Sequence, residues 1–219
     1  MAMNFDQARQ NMVENQVRPW EVLDGRVLDV LRQVRREDFV PPAHRQLAFA
    51  DMNLPLGHGE VMMKPIIEGR VLQALELKPE DNVLEIGTGS GFLSACLASL
   101  AAHVTSVDMH ADLTAAAAER LKAAGIGNVQ LITAEAVSGW QPQETFDAMV
   151  VTGAVYRIPD RFLGWLNPGG RLLVVRGESP VQQAVVLTHE GNGRYREESL
   201  FETDLPYLAH AQPPRQFVF

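Results

Sequence analysis

The sequence holds 219 residues, 46% of them hydrophobic, with a formal net charge of −8. That is enough apolar chain for one domain with a sizeable core, and the acidic balance argues against non-specific nucleic-acid binding, which needs a basic surface. No apolar run reaches the roughly 18 residues of a membrane-spanning helix, the opening residues lack a secretory signal's basic and apolar regions, and the single cysteine, Cys96, precludes an internal disulfide, so a cytoplasmic protein without membrane contact is expected.

The spacing of Phe5, Ala8, Met12, Val13 and Val17 predicts a helix over residues 4–18, capped by Asn4 and stopped at Arg18-Pro19. Val27, Leu28, Leu31 and Val34 predict a second helix over 22–34. Arg32, Arg35 and Arg36, offset by Glu37 and Asp38, read as a solvated helix end. Val40-Pro41-Pro42 breaks the chain before a short helix near 43–50. Residues 53–63 have no period and read as a loop, and Pro65 opens a helix running to about Leu77.

From Asp81 onward strands and helices alternate. Strands are expected near 82–86, 103–107, 129–133, 146–151 and 170–175, and helices near 90–101, 111–124 and 159–166. Residues 183–189, the turn Glu190-Gly191-Asn192-Gly193 and residues 194–201 read as a closing hairpin. This predicts an α/β, doubly wound, mostly parallel seven-stranded sheet with an antiparallel C-terminal edge and an N-terminal helical extension. The tail from Gln212 either hangs free or docks its aromatic end on the body.

The most informative stretch is Val83-Leu84-Glu85-Ile86-Gly87-Thr88-Gly89-Ser90-Gly91, a buried strand, a glycine turn and a helix start near Ser90. Glycines at such a turn let a ligand approach the main chain. Asp108 follows Gly91 by 17 residues and closes the next apolar run, where an acid in a doubly wound fold holds ribose hydroxyls. A dinucleotide fingerprint starting at Gly87 requires glycine where Phe92 stands. The pattern is G-x-G-x-G preceded by Glu85, which can reach the amino group of an amino-acid moiety. It resembles the class I S-adenosylmethionine methyltransferases, with Met109 beside the ribose-binding acid. An NAD oxidoreductase is disfavoured by Phe92. The six histidines show no H-x-H or H-x-x-x-H spacing, so no metal site is expected. Cys96, in an apolar helix, reads as a small core residue.

Further segments resemble one family within that class, the protein-L-isoaspartate O-methyltransferases, from about Met12 to Tyr207. Met12 to Val17 is similar to its opening helix. Val34 to Pro41 is similar to its "VPRE-x-FVP" signature, Asn53 to Gly59 to its "LPIGxGQ" loop, and Phe146 to Ala154 to "FDAIIVTAA". Leu205-Pro206-Tyr207 is a loose echo of its "FVPL". The motif Glu85–Gly91 is shared by many methyltransferases; the 53–59 loop joined to "VPRE" is far more specific. The resemblance divides the chain into N-terminal helices and a substrate loop (1–80) packed on a cofactor-binding core (81–219). It implies S-adenosylmethionine as cofactor, S-adenosylhomocysteine as product, and isoaspartyl proteins or peptides as partners, acting as a monomer or weak homodimer. An isoaspartyl carboxylate takes the methyl group in line, and the ester collapses to a succinimide. With an acceptor pKa of roughly 4, no general base is needed.

The departures fall where substrate is expected. The family's "GQTISQP" is here Gly59-Glu60-Val61-Met62-Met63-Lys64-Pro65, so a threonine becomes Val61 and the serine associated with activity becomes Met63. No catalytic residue is therefore assigned. Substrate contacts are expected from Val61, Met62, Met63, Lys64, Thr152, Gly153 and Ala154. The family's "GDG" becomes Ala134-Glu135-Ala136, with Glu135 and Ala136 expected at the adenine. "PVG" becomes Val175-Arg176-Gly177, which places Arg176 either toward substrate or at an exposed strand end. Trp140 is expected to pack beneath the adenine loop. Two other readings stay open: a methyltransferase for a different small acid or phenol, and a cofactor-binding protein without turnover.

Overall fold

In the computed structural model, which describes residues 3–214, strand β3 (Asn82–Ile86) is an interior strand, third in a seven-stranded sheet. Its alternation serves two cores at once: Val83 belongs to one hydrophobic cluster and Leu84 and Ile86 to the other. A strand covered on both faces needs apolar residues at successive positions. Beside β3 run β4 (His103–Asp108) and β5 (Val129–Thr133) on one side, and β6 (Phe146–Val155) and β7 (Leu166–Glu178) on the other, all parallel. Strands β8 (Val181–Gly191) and β9 (Arg194–Thr203) complete the sheet as an antiparallel edge. The hairpin turn falls at Asn192-Gly193, both in the left-handed region. Chain direction thus reverses its progression at β3, and the carboxyl ends of β3, β4 and β6 open a crevice.

On one face pack α1 (Phe5–Met12), α2 (Gly25–Gln33), α3 (Pro65–Leu75) and α4 (Phe92–Ala98). Their cluster runs unbroken from Met12 to Leu205 and joins the N-terminal segment to the sheet. Helix α5 (Ala111–Ala123) follows β4, and the four-residue α6 (Asp160–Leu163) covers the opposite face through Phe162. No helix among the described residues is long and apolar enough to cross a membrane.

Several local expectations need correction. The first helix does not stop at Arg18-Pro19; it loosens into a π turn (Val13–Val17), then a 3-10 turn (Arg18–Trp20), and stops at the left-handed Glu21. Pro19 falls in the first turn of that 3-10 segment, where its missing N–H costs nothing. The second helix starts later, because the Asp24 side chain caps it by accepting from Arg26 N at 2.8 Å. The helix after the glycine turn begins at Phe92, since Gly91 is left-handed (φ 83°). The expected loop at 53–63 is a hairpin, β1 (Leu54–Gly57) with β2 (Glu60–Met62), turning on His58 and Gly59 (φ 56° and 84°). The aromatic tail end lies outside the described residues.

The arginine cluster is corrected most. Arg36 and Glu37 are fully buried. Glu37 accepts from Arg9 at 2.7 Å, and Arg36 forms an ion pair with the buried Glu68 of α3. Arg32, Arg35 and Asp38 keep to the solvated edge.

Candidate active site

The crevice is built around the turn from β3 to α4. At Gly87 (φ 98°) any Cβ would lie 2.1 Å from the Thr152 hydroxyl oxygen, so only glycine fits. That hydroxyl donates to the Gly87 carbonyl at 2.7 Å, which fixes the turn from the neighbouring strand β6. At Gly89 the hairpin closes from above, with Leu56 Cδ1 3.0 Å from the position of a Cβ. Gly91 stands outside the crevice lining and packs on Ala117 of α5. Thr88 and Ser90 are buried; Ser90 Oγ accepts from Phe92 N, the first amide of α4, at 3.2 Å.

Glu85, the penultimate residue of β3, lies beneath this turn, wholly buried. Its Oε2 accepts from Ser106 at 2.6 Å and from Ser94, and Ser106 in turn bonds Thr88 at 2.6 Å. Its Oε1 is buried with no hydrogen-bond partner among the described residues. Burial pushes the Glu85 carboxyl up to about 8, against the pull of Ser106 and Ser94 and helped by the nearby Asp108 and Glu68. A buried orphan acceptor of this kind calls for a hydrogen-bond donor. Asp108, at the end of β4, accepts from Gly89 N at 2.8 Å through Oδ2 and from His110 N at 2.9 Å through Oδ1. Each oxygen keeps a further lone pair for a ligand hydroxyl. Met109 stands half-exposed at the lip.

Burial also raises the carboxyl of Glu60 in β2, an effect His110 opposes and Asp108 supports. It pushes Glu68 up to about 8 despite Arg36. Three buried or half-buried acids with raised pKa values thus face one crevice, an environment suited to a positively charged ligand.

Val61, Met62 and Met63 form the hairpin side of the wall. Lys64 does not face the crevice; it stands at the start of α3, where its carbonyl accepts from Ile67 and Glu68 N. Gly153 lines the crevice, whereas Ala154 is buried behind it and pairs by main chain with Pro206 and Leu208, both at 2.8 Å. Through those bonds Pro206, Leu208 and Ala209 enter the wall, which the sequence did not signal. Gly153 makes room for this, since a Cβ there would lie 2.8 Å from Leu208 Cδ2. Ala136 lines the crevice beside Ala134 and Val137. The Glu135 carboxylate is committed to its own turn, accepting from Val137 N at 2.6 Å, Ser138 N at 2.9 Å and Gly139 N at 3.1 Å. Burial raises its pKa, but the bonds from Ser138 and Val137 outweigh that and lower it. Its Oε2 is thus taken up by the turn, while Oε1, which accepts only from Val137 N, keeps a lone pair on a residue of the crevice lining. Trp140 packs edge-on against Trp165 with centroids 5.7 Å apart, and Arg176 pairs with Glu197 of β9.

The residues fit S-adenosylmethionine: an orphan buried acceptor for its ammonium, a carboxylate with spare lone pairs for its ribose, and a glycine turn for close approach. The chain matches the profile of the family described as Protein-L-isoaspartate(D-aspartate) O-methyltransferase (PCMT) over residues 7–206. A protein-L-isoaspartate O-methyltransferase from Methanoculleus marisnigri is 38% identical over 179 residues, covering 82% of this chain and 81% of the relative. One from Rhodopseudomonas palustris is 38% identical over 190 residues, covering 86% and 87%. In fold the chain is similar to a Plasmodium falciparum protein crystallised with S-adenosyl-L-homocysteine and described as a protein-L-isoaspartate O-methyltransferase. The TM-score is 0.78 at 20% identity, covering 94% of this chain and 99% of that one. Profile and relatives agree: the chain belongs to the protein-L-isoaspartate(D-aspartate) O-methyltransferase family, whose methyl donor is S-adenosylmethionine.

Proposed function

We infer that this protein methylates the isoaspartyl carboxylate of damaged proteins or peptides. The observation that carries the reading is the orphan Oε1 of buried Glu85 beneath the glycine turn, in one crevice with Asp108. When bound, S-adenosylmethionine supplies a methyl group on a positively charged sulfur, which an ionised carboxylate takes in line. Glu85 balances the ammonium, and Asp108 holds the ribose hydroxyls. Ala134, Ala136 and Val137 give adenine an apolar slot, with Met109 at its lip. No residue needs to remove a proton, because an acceptor carboxyl with a pKa of roughly 4 is already ionised at neutral pH. The wall of Val61, Met62, Met63 and Leu208 excludes water and orients the acceptor; orientation contributes on the order of 7–11 kcal/mol in well-aligned reactions.

A second reading, a different small acid as acceptor, rests on the same wall. Val61 and Met63 offer no hydroxyl to a substrate main chain, and Thr152 spends its hydroxyl on Gly87. Incubation with labelled S-adenosylmethionine and an isoaspartyl peptide beside its aspartyl control separates the two. Base-labile label on the isoaspartyl peptide alone supports repair. No label on either, with S-adenosylhomocysteine binding intact by calorimetry, contradicts the repair reading and favours another acceptor.

A further inference from the structure

The β1–β2 hairpin reaches over the glycine turn and meets the far side of the crevice mouth at its tip. There His58 lies flat on His110, with ring centroids 4.1 Å apart and planes 9° apart. His58 Nε2 is 2.9 Å and 3.0 Å from the two carboxylate oxygens of Asp112, in the first turn of α5. One ligating atom from each of His58, His110 and Asp112 falls within 4.8 Å of the others. Glu60, on the hairpin's second strand, places Oε1 3.9 Å from His110 Nε2.

His58 and Asp112 stand outside the crevice lining, whereas Glu60 and His110 form part of its mouth, and the four come from two separate elements. Two imidazoles with one or two carboxylates make a ligand set suited to zinc and its neighbours. Their surroundings are acidic: Glu60, Asp108 and Asp112 lie close by, and none is paired with a lysine or arginine among the described residues. A tetrahedral ion with bonds of about 2.0–2.1 Å spaces its ligand atoms by about 3.4 Å. The widest separation in the cluster therefore has to shrink by up to about 1.4 Å, and the stacked rings have to turn until the ion lies in both ring planes. His58 and Asp112, with side chains 43% and 67% exposed, have room for that adjustment.

We propose that His58, His110 and Asp112, with Glu60 in reach as a fourth ligand, form a site for a zinc-class divalent cation that clasps the hairpin to the cofactor-binding body. An ion there holds Leu56 down over Gly89 and narrows the crevice mouth. Ion and nucleoside then favour the same closed hairpin, and each tightens the other by one factor. The clasp's effect on the nucleoside rests on the cofactor reading above; the ion site itself does not.

The test uses chelator-stripped full-length protein at about pH 7.5, where unperturbed imidazole is neutral. Zinc is titrated by calorimetry, and cobalt(II) by its visible absorption. One ion per chain is expected, with the intense bands of a tetrahedral cobalt centre. His58→Ala and Asp112→Ala each weaken zinc binding about tenfold or more, whereas His44→Ala and His103→Ala leave it unchanged. Zinc tightens S-adenosylhomocysteine binding about fivefold or more in the wild type and has no effect in His58→Ala. Circular dichroism checks that the variants are folded. Zinc binding in the wild type no tighter than in folded His58→Ala and Asp112→Ala overturns the site. Ligand-dependent zinc binding without any change in nucleoside affinity supports the site and overturns the clasp.

Discussion

The buried guanidinium of Arg36 donates to the carbonyl oxygen of Met63 at 2.7 Å, tying the "RRED" segment to the crevice wall. The same side chain donates to Ala48 O at 2.7 Å, pairs with Glu68 and lies over the Phe92 ring at 4.8 Å. One cation thus holds the end of the hairpin, the start of α3 and the helix that follows the glycine turn.

Removing one member of a buried pair strands the other, at a cost of about 3–5 kcal/mol. Arg36→Ala is expected to lower stability by about that amount in urea unfolding. Replacing both members, as in Arg36→Met with Glu68→Leu, recovers most of the loss because neither charge then stays buried. The double variant still lacks the anchor on Met63, so its methyl transfer stays impaired while its stability returns. Parallel recovery of both measurements contradicts the anchoring role.

Glu85 sets a pH dependence. Its pKa in the folded protein, about 8, lies above the ordinary 4.5, so between those values the folded state holds the proton more tightly than the unfolded one. Its contribution therefore makes stability fall as pH rises through that window. Glu85→Gln flattens the decline, as read from melting temperatures across the range. Glu68, also raised to about 8, adds the same trend and remains in that variant. Binding of an ammonium-bearing nucleoside at neutral pH draws the proton off Glu85. Calorimetry in buffers of different ionisation enthalpy is expected to show release on the order of one proton, which Glu85→Gln abolishes.

The glycine turn, Glu85 and Asp108 were legible because their signal is local: an apolar strand, a turn and an acid at fixed spacing. The parallel strands were legible because burial on both faces leaves continuous apolar runs. Arg36 and Glu37 were not, because charges among charges look solvated until Glu68 and Arg9 arrive from elsewhere in the chain. The hairpin escaped notice because its strands are short and its His58-Gly59 turn lacks the Asn-Gly signature. Pro206 and Leu208 reach the crevice through main-chain bonds to Ala154, which no side-chain pattern announces.

Asp108→Ala is expected to weaken S-adenosylhomocysteine binding by about 1–3 kcal/mol, the cost of a lost buried hydrogen-bond partner. Because Asp108 also fixes Gly89 N and His110 N, part of the loss appears as a lower melting temperature of the free protein. Unchanged affinity by calorimetry contradicts the ribose assignment.

Gly153 and Leu208 form a matched pair. Gly153→Ala puts a methyl 2.8 Å from Leu208 Cδ2 and 3.3 Å from Pro206 O. Overpacking of this kind costs about 1–3 kcal/mol. Adding Leu208→Ala relieves the side-chain clash, so the double variant shows a non-additive gain over the sum of the single changes in urea unfolding. Simple additivity contradicts the pairing.

The crystal structure of the wild-type protein with S-adenosylhomocysteine tests the cofactor assignment most directly. The nucleoside is expected in the crevice, its amino group within hydrogen-bond reach of Glu85 Oε1, directly or through one water, and its ribose hydroxyls on Asp108. Electron density for the nucleoside elsewhere, or a Glu85 Oε1 still without a partner in the filled crevice, contradicts the account.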